Sequence, residues 1–254
     1  MYQWENGGTD VAKNASDMIL ADDNFVTIIE AIKTGRHIYN NIRKAIHFLI
    51  STNIGEIVAI FLGLLLGLDT PLLAIQLLWI NLMSDSFPAI ALGLEAVDKN
   101  IMENKPIDSK KGLFADGLWN QIIIEGIMIG VLTLFAFCLG NNLYGLEVGR
   151  TMAFVTLGIS ELVHSFNIRS TKSILEVGIF KNIYLIGAFV LGIILQVIVV
   201  TIPPIANIFN SVLLNKKQWI YTIIISILPI FIMEGQKMIN KIRFEKVSYK
   251  TQNI

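Results

Sequence analysis

Two acidic side chains stand inside apolar stretches of this chain, and around them sit the oxygen-bearing residues that a hard cation needs. Glu56 belongs to Asn53-Ile54-Gly55-Glu56, and Asp85 to Asn81-Leu82-Met83-Ser84-Asp85-Ser86-Phe87-Pro88. No Lys or Arg occurs between Lys44 and Lys99, so neither acid has a basic partner nearby in sequence. A lone carboxylate in hydrocarbon costs roughly 3 kcal/mol or more. A bound metal cation is the partner these residue types favour. Asn53 and Glu56 are spaced to share one helix face, as are Asn81, Ser84 and Asp85. Their amide, hydroxyl and carboxylate oxygens are the ligands of Ca2+, which takes about 6–8 of them at about 2.3–2.6 Å. Neither cluster holds a His or Cys, which argues against zinc or copper. Glu161, in a later apolar stretch, offers a further carboxylate, with His164 on its helix face as a packing or hydrogen-bonding residue. Pro88 lacks an N–H and its ring bends a helix, freeing a carbonyl. Broken helices at membrane depth are a recurring way to build ion sites.

These residues must be positioned by helices in a bilayer. The chain has 254 residues, 54% hydrophobic, with mean hydropathy +0.61, the composition of a membrane protein. Its formal net charge is zero, so nothing points to nucleic acid. The one cysteine, Cys138, cannot form an internal disulfide. Apolar runs of near the ~20 residues a crossing helix needs give six spans, at 45–67, 71–94, 119–140, 151–167, 183–202 and 218–236. The fourth is short and carries Glu161 and His164, so its polar face must turn into a bundle. With these spans, 17 of the 20 Lys and Arg fall on the side of the N-terminus; only Arg150, Lys216 and Lys217 fall on the other. The positive-inside rule then places both termini in the cytoplasm.

Residues 1–24 are polar and acidic, which gives no cleavable signal and leaves the first span as its own insertion signal. They read as a remnant of a cytoplasmic domain, with a short strand at 17–21. Asp22 and Asp23 offer N-caps for a helix starting near Asn24. Apolar Ile28, Ile29, Ile32 and Ile38 continue at helical spacing into the first span. One helix of roughly 40 residues follows, about 60 Å long, with Gly35 the test of its continuity. The expected fold is an all-α membrane protein: a six-transmembrane-helix bundle with a long cytoplasmic stalk helix (25–44) running into the first span. An ion-binding hairpin (45–94), a polar cytoplasmic loop containing Pro106 (95–118), a C-terminal four-helix transmembrane domain (119–242) and a cytoplasmic tail (243–254) complete it. His47 reads as interfacial, and Glu125 and Glu234 as solvated residues near span ends.

Ser51-Thr52-Asn53-Ile54-Gly55-Glu56-Ile57-Val58 and the run from Gln76 through Trp79-Ile80-Asn81 and Ser84-Asp85-Ser86-Phe87-Pro88 to Gly93 resemble the fifth and sixth transmembrane helices of P-type calcium-transporting ATPases. Gly8-Thr9-Asp10-Val11-Ala12-Lys13-Asn14-Ala15 through Leu20 resembles the end of that family's phosphorylation domain, and Asp98-Lys99-Asn100-Ile101-Met102 also fits. The resemblance runs from Gly8 to about Lys241. It implies that Asn53, Glu56, Ser84, Asp85 and Glu161 form one calcium site and that Asn81 and Asp85 contribute to a second. Ser84 replaces the Thr usual in sarcoplasmic-reticulum-type pumps and keeps the hydroxyl. The presence of both Glu56 and Glu161 implies a two-site pump.

The family's phosphorylated Asp sits in Asp-Lys-Thr-Gly-Thr, a string this sequence does not contain. The chain therefore reads as the C-terminal portion of a pump, with no catalytic residue of its own. Ca2+ (or Mn2+) is the transported ion, and Mg2+ and ATP act only in a complete pump. Its expected partners are the lipid bilayer, here a bacterial plasma membrane, and the missing N-terminal part. The competing reading is a stand-alone non-enzymatic membrane protein, a passive cation pathway or pump regulator, or a non-functional remnant of a gene.

Overall fold

The structure, a computed structural model, describes residues 2–4, 10–15, 18–20, 24–98, 100–103, 112–115 and 117–252. Asp22, Asp23, Lys99 and Pro106, singled out above, lie outside the described residues, as does the Gly8-Thr9 pair. The chain divides into two compact units, 1–41 with 97–108, and 42–96 with 109–254.

In the first unit, β1 (Tyr2–Trp4) pairs in parallel with β2 (Met18–Leu20), with α1 (Asp10–Asn14) between them in sequence. Of the strand expected at 17–21, the described residues Met18–Leu20 are extended as β2. Arg36 donates to the Ile101 carbonyl at 3.2 Å. Helix α2 spans Phe25–Leu65 without a break at Gly35, and at about 1.5 Å per residue its 41 residues measure about 60 Å.

The second unit is helical. Helix α3 (Ala74–Trp79) passes into a π-helical segment (Ile80–Asp85) and then α4 (Ser86–Gly93). Helices α5 (Leu118–Tyr144) and α6 (Leu146–Ile168) are joined by Gly145 at φ 97°, a left-handed turn that suits glycine. Then come α7 (Ile174–Val177), a 3-10 turn (Ile179–Lys181), α8 (Ile183–Thr201), α9 (Pro203–Ile208) and α10 (Lys216–Gln252). Helix α10 runs on past 236, the expected end of the last span.

Among the described residues, five helical stretches are long and apolar enough to cross a membrane: Phe25–Leu65, Ala74–Gly93, Leu118–Tyr144, Ile183–Thr201 and Lys216–Ile242. Helix α6 is long enough too but too polar to pass on composition. It is the centre of the bundle, with every residue from Thr151 to Ser165 buried. Its polar groups face neighbouring helices rather than lipid, which is how a weakly apolar stretch survives there. Ser160 donates to the Ser226 carbonyl at 3.4 Å and Asn167 to the Pro229 carbonyl at 3.2 Å, both on α10. From α8, Gln196 donates to the Phe154 carbonyl at 3.3 Å. Outward, α8 exposes Ile183, Val190, Leu191 and Ile194, a face suited to acyl chains.

The chain just beyond α4 is anchored by Arg169. Its Nε and Nη2 donate to the two Glu95 oxygens at 3.0 and 2.8 Å, and its Nη1 donates to the Gly178 and Ile179 carbonyls. Asn182 donates to Glu95 and to the Ala91 carbonyl while its Oδ1 caps α8 at Leu185. Burial alone would push the Glu95 carboxyl up, but the hydrogen bonds from Arg169 and Asn182 and the charges of Arg169 and Lys44 outweigh it and hold the group below the ordinary carboxylate range. A depressed folded-state value means a contribution present above the unfolded pKa of about 4.3 and lost as pH falls through the lower folded value. Acid titration of thermal stability should therefore show a loss below about pH 4 in the native chain. That loss should shrink in Glu95→Gln, and an unchanged acid limb would remove Glu95 from the account.

Candidate cation site

The site is built where α2, the π-helical segment and α6 meet. A π turn places one extra residue in the helix and is frequent at functional sites. Pro88, which has no N–H to reach the Ser84 carbonyl four residues back, lies just past the π-helical segment in α4. The Ser86 hydroxyl donates to the Asn81 carbonyl at 3.2 Å. The widened turn puts Ser84 and Asp85 side by side in the buried interior.

Glu56 on α2 is buried, and both of its oxygens accept from the Asn81 amide, at 2.8 and 3.0 Å. The same Nδ2 also reaches the Leu77 carbonyl at 3.0 Å. Asn81 thus ties the π-helical segment to α2. Asp85 Oδ2 accepts from the Thr52 hydroxyl at 2.9 Å, while its Oδ1 is buried with no hydrogen-bond partner. Glu161 comes from α6 and is wholly buried, and neither of its oxygens has a hydrogen-bond partner of good geometry. The charges of Asp85 and Glu56 act on Glu161, so the three carboxyl groups lie in one neighbourhood. Asn53 is half-buried and turns its Nδ2 back to the Leu49 carbonyl at 2.6 Å. Among the described residues no hydrogen bond ties Asn53 or Ser84 to the carboxylates.

Four of the six residues expected from sequence are therefore brought together by hydrogen bond or charge: Glu56, Asn81, Asp85 and Glu161. Ser84 is buried next to Asp85, and Asn53 stands on the same helix as Glu56. The chemistry of the donor set suits a hard cation. No N–H or hydroxyl of another residue reaches Asp85 Oδ1 or either Glu161 oxygen, and the Asp85 and Glu161 carboxyl groups stand within reach of each other, an arrangement that a shared proton or a cation satisfies. Among the described residues no three His, Cys, Asp or Glu side chains stand close enough to grip one ion as placed. Closing around a cation requires Glu56 to leave Asn81 and the carboxyl groups to draw together.

Thr52 had no signal in the sequence beyond its place next to Asn53. Its hydroxyl also lies 3.1 Å from the Phe48 and Leu49 carbonyls, the usual local partners of a helical Thr. Two expectations are corrected. Glu125 is not a solvated residue near a span end: it is 1% exposed and in contact with His47 and His164. His47 is likewise buried rather than interfacial.

Comparison with known proteins adds the relatives of this arrangement. Residues 69–239 match the family model described as cation transporting ATPase, C-terminus. The chain is 44% identical over 252 residues to calcium-transporting ATPase 1 of Bacillus cereus, an alignment covering 92% of this chain and 28% of that protein. It is 42% identical over 236 residues to the calcium-transporting ATPase of Bacillus subtilis, covering 92% and 26%. It is 40% identical over 241 residues to calcium-transporting ATPase 1 of Lactococcus lactis, covering 94% and 27%. The chain spans about a quarter of the length of these relatives.

Proposed function

The chain belongs to the family of cation-transporting ATPases, matching its C-terminal region, and from that premise we propose that it carries the ion-binding membrane part of a calcium pump. The observation that carries this reading is the group of three buried carboxyls, Asp85 and Glu161 within reach of each other and Glu56 beside them, with Asp85 Oδ1 and both Glu161 oxygens reached by no N–H or hydroxyl of another residue. On this reading Ca2+ is the transported substrate, and Glu56, Asp85 and Glu161 supply its charged ligands. Asn53, Asn81 and Ser84 supply neutral oxygens. Mn2+ has the same preference for oxygen and is the competing cargo.

The hydrogen bonds of the site suggest how the ligands are managed. Asn81 occupies Glu56 when no ion is bound, which keeps that carboxylate from standing unsatisfied in the interior. Thr52 fixes one oxygen of Asp85 and leaves the other to the ion. ATP hydrolysis, with its Mg2+, belongs to other segments of a longer pump, since no Asp-Lys-Thr-Gly-Thr string occurs in this chain. Both termini lie in the cytoplasm on this reading, supported by the placement of 17 of the 20 Lys and Arg on that side of the six spans. The membrane is a bacterial plasma membrane, in keeping with the bacterial relatives.

The test is ATP-driven 45Ca2+ uptake by inside-out vesicles containing this chain joined to the N-terminal part of such a pump. Uptake is expected, with Mn2+ competing, and Glu56→Gln should reduce it to the vesicle background. Full uptake in Glu56→Gln would overturn the assignment of the site.

A further inference from the structure

A second buried polar cluster lies outside the carboxylate site. His47 on α2 and His164 on α6 both point Nε2 at Glu125 Oε2 on α5, at 2.6 and 3.2 Å. All three side chains are at most 8% exposed. Gln121, one turn earlier on α5, donates to the other Glu125 oxygen at 2.7 Å, and the Ser51 hydroxyl lies 3.4 Å from His164 Nε2. His164 Nδ1 is buried without a partner. From α10 the charge of Lys237 reaches Glu125, but Lys237 is paired at 3.2 Å with Glu234 on its own helix.

The charge count of this cluster is decisive. With Glu125 ionised and both imidazoles neutral it carries one uncompensated negative charge in the bundle interior. With one imidazole protonated it is neutral, and with both it carries an excess positive charge. Burial penalises either excess. A hydrogen-bonded pair of opposite charge is the form that a buried carboxylate tolerates. The two imidazoles converge on a single carboxylate oxygen, so a single added proton on either of them serves the whole cluster.

We propose that His47, Glu125 and His164 form a proton-binding site, distinct from the cation site, that holds one proton on its imidazole pair and thereby bridges α2 to α6 through α5. Those two helices carry Glu56 and Glu161, so the proton sits in the contact that fixes how two cation-site helices meet. The chain can then hold a proton here and a cation at the carboxylates at the same time.

The experiment is 15N NMR of the full chain in lipid nanodiscs with labelled histidine. The sequence has three histidines, so single His→Gln variants assign every signal. At about pH 7, one signal of the His47–His164 pair is expected to show the imidazolium pattern, with its two ring nitrogens nearly equal, and the other the neutral pattern. Glu125→Gln should abolish the imidazolium signal at that pH, and Lys237→Met should leave it in place. Two neutral imidazoles in the native chain would overturn the proposal, as would an imidazolium that survives Glu125→Gln or is lost in Lys237→Met. The native spectrum decides by itself if the Glu125→Gln chain fails to fold.

Discussion

Asp85→Asn is expected to weaken Ca2+ binding by the purified chain about 100-fold or more, a loss of about 3 kcal/mol. The substitution keeps the shape and the hydrogen-bonding capacity toward Thr52 while deleting the charge, so it isolates the electrostatic role of one proposed ligand. The expected size follows from where Asp85 sits. It is 1% exposed, its Oδ1 has no protein partner, and the charges of Glu56 and Glu161 act in the same space. In a site shielded from water each carboxylate charge acts on the ion with little screening. Equilibrium dialysis with 45Ca2+ checks the number. A loss under about threefold would mean that the ion is held elsewhere, because a true carboxylate ligand at this depth cannot be neutralised so cheaply.

The second large effect is expected at Gly126, where α5 meets α2. A Cβ on Gly126 would stand 2.5 Å from Ile54 Cγ2 and 2.8 Å from the Ser51 carbonyl oxygen. Ile54 Cγ2 turns with its rotamer, but Ile54 Cβ, which would lie 2.7 Å away, and the Ser51 oxygen are fixed to the backbone and cannot move without displacing the helix. The same crossing brings Gly130 against the Gly55 carbonyl, where a Cβ would approach to 2.6 Å. Small residues of this kind let helices approach closely where lipid provides no hydrophobic drive. Gly126→Val should therefore destabilise the bundle by about 3 kcal/mol, read as a lowered unfolding midpoint in detergent. It should also weaken Ca2+ binding, because Ser51 and Ile54 flank Thr52 and Asn53 and lie five and two residues before Glu56. Normal stability in Gly126→Val would show that the two helices separate without cost.

Much of the site is legible in the amino-acid sequence. Glu56 and Asp85 stand out because charge in an apolar run is expensive and therefore informative. Glu161 is legible for the same reason, although its helix is weakly apolar. Two of the polar residues that lower the hydropathy of α6, Ser160 and Asn167, bond to α10 across the bundle. Pro88 signals the break in the second span, but not its form. Periodicity cannot distinguish a kink from a π turn, and the difference decides which side chains stand beside Asp85.

What the sequence hides depends on long-range contact. Thr52 looks like any helical Thr until α3 and the π-helical segment fold against α2. Glu125 and His47 are 78 residues apart in sequence. Each lies near the end of an apolar run, where solvation is the ordinary reading, and only the packing of α5 between α2 and α6 makes them a buried pair. The one signal present is the depth of Glu125, a full two turns inside α5.

The most direct test of the account is anomalous scattering from crystals of the full chain grown with Mn2+. The account predicts a metal peak within about 2.6 Å of Asp85 Oδ1 and a Glu161 oxygen, with the Glu56 carboxylate released from Asn81 and turned toward the same peak. A peak at another location, or an unaltered Glu56–Asn81 bond with metal bound elsewhere in the chain, would contradict it.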